Sequence, residues 1–135
     1  MKYLKKFFAV SLLLAAAIQA NAAQVEMGNY KAIDVETRTV DATFILRADG
    51  TVNFNVTTPD FTMPAPGCDG KYTVVGNEFS ADMTCPTDLL PEVSVRIDIT
   101  NVNPESIRTE EGAEVAVIID ALGDEPVMFL LKKND

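Results

Sequence analysis

The chain has no histidine and no tryptophan, carries only two cysteines, and sets 11 basic residues against 20 acidic ones over 135 positions. Without histidine it lacks the commonest general base and the commonest transition-metal ligand. The shortage of lysine and arginine argues against nucleic acid and anionic lipid headgroups, which both need cations to displace counterions. No amphipathic helical stretch occurs after the first two dozen residues. The longest apolar run is shorter than the roughly 20 residues a membrane-spanning helix needs. Walker and dinucleotide glycine patterns are also missing; Gly50, Gly76 and Gly123 separate alternating segments instead of opening helices.

Other catalytic constellations are equally thin. Ser80, Ser94 and Ser106 stand neither in a Gly-x-Ser-x-Gly elbow nor beside a lysine. Carboxylates are abundant, and a pair of them could act as acid and base on a sugar, but Glu110-Glu111 and Asp124-Glu125 fall in expected turns, where solvated charge is the simpler account. No alternating Asp-x-Asp-x-Asp loop offers the oxygen-rich cage calcium requires. No cofactor and no metal site is implied, and the chain is expected not to be an enzyme.

What is present begins with an export signal. Lys2, Lys5 and Lys6 precede an apolar run from Phe7 to Ile18, and Ala20-Asn21-Ala22 supplies an A-x-A cleavage site, so residues 1–22 read as a signal peptide and 23–135 as the mature domain. No cysteine stands near the cleavage point to carry a lipid anchor, so no stable membrane attachment is expected after processing. The expected location is the periplasm or the extracellular space. Cleavage leaves 113 residues, enough for one domain, with eight basic and 20 acidic side chains and a formal charge of −12. Such a charge favours a basic partner, although carboxylates scattered along a chain also serve plain solubility.

An oxidising compartment makes Cys68 and Cys85 a structural bridge in expectation, and their separation rules out a CxxC motif. They lie at mirror positions about Gly76-Asn77, a dipeptide that favours a two-residue hairpin turn. In that register Val75 faces Glu78, Val74 faces Phe79, Tyr72 faces Ala81, and the cysteines face each other as a non-hydrogen-bonded pair. Such pairs have Cα atoms about 4.5 Å apart, close to the lower end of the disulfide range.

Elsewhere apolar and polar residues alternate, the mark of half-buried strands. Val40, Ala42, Phe44 and Leu46 share one face, and Asp41, Thr43, Ile45 and Arg47 the other. A three-residue loop with Gly50 left-handed pairs Leu46 with Val52, Phe44 with Phe54 and Ala42 with Val56, keeping the apolar face continuous; a two-residue Asp-Gly loop would break it. Val93, Val95, Ile97 and Ile99 form another such face, followed by a turn at Asn101 to Pro104 and a short strand at Ser106 to Thr109. Val115, Val117 and Ile119 lead through Gly123-Asp124-Glu125 to Val127, Phe129 and Leu131, and a three-residue loop sets Ile119 opposite Phe129. With Tyr30 to Thr37 the total is eight or nine antiparallel strands. Short connections and one apolar face predict an all-β meander closed as a small barrel, with a two-sheet sandwich as the alternative. The bulky inward residues suffice to fill such a barrel, so a roomy cavity is not demanded.

Gly28-Asn29-Tyr30 recurs as Gly70-Lys71-Tyr72, and Cys68-x-Gly70-x-Tyr72 returns to Cys85. In these features the chain resembles the small exported lipocalin-like barrels of bacteria, with Tyr30 where lipocalins carry the tryptophan of Gly-x-Trp. The resemblance implies an eight-stranded meander and an apolar ligand. In size, export and disulfide use the chain is also similar to periplasmic lysozyme inhibitors, but the Ser-Gly-x-x-Tyr loop those inhibitors insert is not present.

Two proline-bounded connections hold the remaining candidates. Thr57 to Gly67 carries Phe61 and Met63, and Pro86 to Pro91 carries Leu89 and Leu90. A bridge between Cys68 and Cys85 would anchor both at one end of the sheet. Phe61, Met63, Leu89 and Leu90 then either form an apolar rim for a ligand or partner, or fold inward and plug the barrel. The expected function is a binding protein for a small apolar ligand or a protein at that end; the alternative is an acidic inhibitor or interaction module for a basic target such as a lysozyme-like hydrolase.

Overall fold

The computed structural model describes residues 25–135; the signal peptide read at residues 1–22 lies outside them. Eight strands follow one another: β1 Gly28–Asp34, β2 Val40–Leu46, β3 Thr51–Val56, β4 Cys68–Val75, β5 Glu78–Thr84, β6 Glu92–Asp98, β7 Ala113–Ile119 and β8 Val127–Asn134. Each pairs antiparallel with the next, and β8 returns to β1 with Leu131 opposite Ala32, so the sheet closes into a barrel with no free edge. The sandwich alternative is thereby excluded.

The alternation explains most of the register. Leu46 pairs with Val52, Phe44 with Phe54 and Ala42 with Val56, as the three-residue turn requires. Tyr72 pairs with Ala81 and Val75 with Glu78 across Gly76-Asn77. The disulfide joins Cys68 to Cys85, one step beyond the last ladder pair, with Cα atoms 4.1 Å apart. Gly70 in β4 has no room for a side chain: a Cβ there would run into the Asp82 carbonyl and lie 2.7 Å from the Met83 Cα. That close approach accounts for glycine in the Cys68-x-Gly70-x-Tyr72 pattern.

Three expectations need correction. The segment at Ser106 to Thr109 is not a strand: Ser106–Arg108 forms a 3-10 turn with Ile107 wholly buried. β7 and β8 pair Val115 with Phe129 and Val117 with Val127, four positions from the expected register, because Asp120–Leu122 coils into a second 3-10 turn and lengthens the connection. Val40 is exposed instead of joining the inner face of β2. The cause is a β-bulge: Ala32 pairs with Ala42 and Ile33 with Val40, which leaves Asp41 as the extra residue.

The two ends of the barrel are built differently. At one end the connection between β6 and β7 turns inward, burying Ile99, Val102 and Ile107, while Tyr30 stacks on Phe44 with ring centroids 5.1 Å apart. The Asn103 side-chain carbonyl accepts from the amides of Glu105 and Ser106 at 2.9 and 2.8 Å and holds this plug in shape. Arg108 then clamps both termini of the domain, contacting Glu26 and Asp135 each at 2.7 Å. The opposite end receives the connections β1–β2, β3–β4, β5–β6 and β7–β8, together with the disulfide.

Candidate functional site

Inward side chains do not fill the barrel completely. A cavity of about 190 Å³ lies along its axis, walled by apolar residues except for Asp41 and Thr58. Phe44, Phe79, Ile97 and Leu131 form its floor, since the same four side chains also cap a void of about 10 Å³ on the plugged side. Ala32, Ala42 and Ala81 leave the space, being the small residues among the branched and aromatic ones of the wall. Leu122, 74% exposed, is part of the lining, which places the mouth at the end carrying the disulfide.

The loops around that mouth are ordered by local hydrogen bonds. In the β3–β4 connection Thr57 bridges to Thr62, the Phe61 amide donates to Thr58 Oγ1 at 3.0 Å, and the Met63 amide donates to the Val56 carbonyl at 2.8 Å. Asn53, buried on the outer side of β3, donates from Nδ2 to the Pro66 carbonyl and to Asp69 Oδ1, both at 3.0 Å, and so fastens the far end of the same loop. The β5–β6 connection closes through the Cys85 amide donating to the Pro91 carbonyl at 2.8 Å. The bridge therefore joins two loops that are each tied at their bases.

The four candidates from the sequence divide at this end. Met63 is buried in the core, Phe61 and Leu90 are half-buried against it, and Leu89 is 81% exposed. They stand beside the mouth but outside the cavity lining. Sequence reasoning missed two residues that do line it. Leu122, just before the expected turn at Gly123-Asp124-Glu125, carries no signal in the alternation, and the 3-10 turn at Asp120–Leu122 brings it to the mouth. Asp41 was assigned to the solvent face by alternation, and the bulge brings it to the cavity wall.

Electrostatics separates the two ends. All the ion pairs among the described residues, Arg108 with Glu26 and Asp135, and Lys133 with Asp135, lie at the plugged end. Hydrogen bonds from Arg108 hold the carboxyls of Glu26 and Asp135 below the usual range. There too, burial pushes the Tyr30 phenol up to about 12, even though its hydroxyl donates to the Glu26 carbonyl at 2.7 Å. The four connections at the mouth carry Glu36, Asp60, Asp88, Asp120, Asp124 and Glu125 against a single base, Arg38. None of these enters an ion pair among the described residues.

No group of three or more His, Cys, Asp or Glu side chains is placed to hold a metal ion among the described residues. The arrangement offers shape, an apolar surface and negative potential. Comparison with protein-family models, with curated proteins and with solved structures finds no significant match.

Proposed function

We propose that this chain is an exported, non-enzymatic binding protein that takes a small apolar ligand into the barrel through the mouth beside Cys68 and Cys85. One observation carries the reading: a cavity of about 190 Å³, almost wholly apolar, that reaches the surface at one end of a barrel plugged at the other. Apolar cavities of about 150 Å³ are known to admit a benzene-sized guest, whereas drug-sized ligands occupy roughly 300 to 1,000 Å³. The ligand is accordingly slender, a short alkyl chain or a single ring. This agrees with the lipocalin-like reading of the sequence, on a smaller scale. Phe61, Leu89 and Leu90 serve as the apolar apron that the guest crosses, and Met63 backs them from the core.

The test is titration of the disulfide-bonded protein with 1-octanol, followed by methyl NMR. Methyls of Ala81, Val95 and Val117 on the wall should shift while those of Ile45 and Val75 on the outside stay put. Ala81→Leu, which fills the space, should abolish the response and preserve the β-sheet circular dichroism. Wall methyls that ignore octanol, or outer methyls that move equally, would remove the basis for the proposal.

The second reading, an interaction module for a basic protein, is favoured by Leu89 and Leu122 standing 81% and 74% exposed among carboxylates that enter no ion pair among the described residues. A complex with a lysozyme-like hydrolase that survives 0.5 M salt, on the order of several times physiological ionic strength, would support it over the cavity. A complex lost at that salt would be ordinary charge attraction.

A further inference from the structure

The residues that line the cavity include a single charged one, Asp41, and its position is the product of a specific backbone irregularity. Regular alternation would turn Asp41 to solvent and Val40 inward. The bulge between β1 and β2 reverses this, exposing Val40 at 44% and placing Asp41 in the lining. β-Bulges commonly re-aim a side chain in this way. The residue is held there through its backbone and its side chain. Its backbone carbonyl accepts from the Thr57 amide at 2.9 Å, and its Oδ1 accepts from Thr39 Oγ1 at 3.1 Å, which is itself 2.7 Å from Thr37 Oγ1. Among the described residues the side-chain bond of Asp41 is the one from Thr39, and Asp41 forms no ion pair.

Asp41 borders the cavity at its mouth with its carboxylate turned largely to solvent, and a carboxylate at the rim of an apolar cavity favours a cationic head group over an anionic one. The six acidic residues of the mouth connections, opposed only by Arg38, add a field of the same sign. Below the carboxylate the wall is apolar down to Phe44, three residues along β2 and so about 10 Å deep at ~3.4 Å per residue. A volume of about 190 Å³ accommodates roughly six groups the size of a water molecule, each ~30 Å³.

We propose that the ligand is a short-chain alkylammonium or similarly cation-headed amphiphile, its chain of about six to eight carbons in the cavity and its positive head at Asp41. The proposal rests on the cavity being the ligand site, and it adds the head-group chemistry.

The experiment compares n-octylammonium, 1-octanol and octanoate as probes of the same chain length, titrated at pH 7 into the disulfide-bonded protein by calorimetry. Octylammonium should bind up to about fivefold more tightly than octanol, and octanoate more weakly than either. Asp41→Asn, nearly isosteric, should bring octylammonium and octanol to within about twofold of each other. Ala81→Leu should abolish binding of octylammonium as well as octanol, which separates insertion from adsorption to an acidic surface.

If octanol binds as tightly as octylammonium, the head-group assignment is wrong while the cavity reading stands. If octylammonium keeps its affinity in Ala81→Leu, its charge is read elsewhere on the surface and the assignment again fails. If none of the three probes binds, the cavity reading itself is lost. The comparison among probes on the unsubstituted protein decides the matter even if a variant fails to fold.

Discussion

Reducing the Cys68–Cys85 bridge should lower the stability of the barrel by an amount set by the loop it closes. The two cysteines are 17 positions apart, so the cross-link closes an 18-residue loop containing β4, the Gly76-Asn77 turn and β5. In the chain-entropy model such a loop contributes about 3 kcal/mol by restricting the unfolded chain. With a urea m-value of about 1.5 kcal/mol/M for a domain of this size, the midpoint should fall by about 2 M on reduction. Reduction is a cleaner perturbation than substitution because both sulfurs remain in place, and Cys68 is fully buried, so replacing it would add a packing loss to the entropic one. The assay is urea unfolding of oxidised and reduced protein by far-UV circular dichroism, with Cys68→Ser, Cys85→Ser as a third sample. The reduced protein should keep its β spectrum, because the ladder between β4 and β5 extends through seven residue pairs independently of the bridge. The substituted protein should be no more stable than the reduced one. Equal midpoints for the oxidised and reduced proteins would refute the view that the bridge acts as a staple.

Three further outcomes follow from packing and charge. Ile107→Ala removes a wholly buried side chain from the plug and should cost about 2 to 5 kcal/mol, read as a fall in the thermal midpoint; a change under 1 kcal/mol would mean that the plug collapses around the loss. Gly70→Ala drives a Cβ against the backbone of β5 and should destabilise by about 1 to 3 kcal/mol, whereas Gly50→Ala meets no atom within 4 Å, so its penalty is confined to a backbone φ of +87°. Tyr30 is raised to about 12 from an ordinary 10.0, so folding favours its protonated form. The stability this supplies is complete below pH 10 and is lost as the pH rises through 12, and phenolate absorbance of the 23–135 domain, whose two tyrosines are Tyr30 and Tyr72, should show Tyr30 ionising well above the ordinary value. A Tyr30 that titrates at its ordinary value would refute the buried assignment.

Much of the fold was legible because alternation has a period of two and a buried face punishes a one-residue slip. That constraint is enough to choose the three-residue turn at Gly50 and to align the hairpin at Gly76-Asn77. It has a blind spot, which the last hairpin exposes. Moving Phe129 from Ile119 to Val115 shifts the register by four, an even number, so every side chain keeps its face and the pattern cannot tell the two alignments apart. The coiling of Asp120–Leu122 decides between them. Val102 and Ile107 were obscured for a different reason: they are spaced for turns instead of a strand, and only burial reveals that they join Ile99 in one apolar plug. Asp41 was the costliest omission. A bulge displaces side chains without a residue signature of its own, and Val40 beside it reads as an inner-face residue.

The contrast between the two ends bears on why a cavity persists. At a cavity term of ~24 cal/mol per Å³, leaving about 190 Å³ unfilled by side chains forgoes about 4 to 5 kcal/mol, a large share of what a small domain has in hand. The chain is able to close a barrel end, since a single connection between β6 and β7 supplies Ile99, Val102 and Ile107 and completes the plug. At the mouth it has a connection of eleven residues, Thr57 to Gly67, which buries Met63 and half-buries Phe61 without bringing either into the cavity lining. Yet that loop is fastened outward through Asn53 and Pro66, and Leu89 and Leu122 stay in solvent. Alanine at positions 32, 42 and 81 widens the same space from inside. Exposed apolar side chains that leave an apolar void unfilled, and a bulge that sets Asp41 at its rim, together oppose stability and favour access. If occupancy by a guest is what offsets that cost, octylammonium at a hundred times its dissociation constant should raise stability by about 2.7 kcal/mol. A thermal midpoint unmoved by saturating octylammonium would break the link between the cavity and its proposed use.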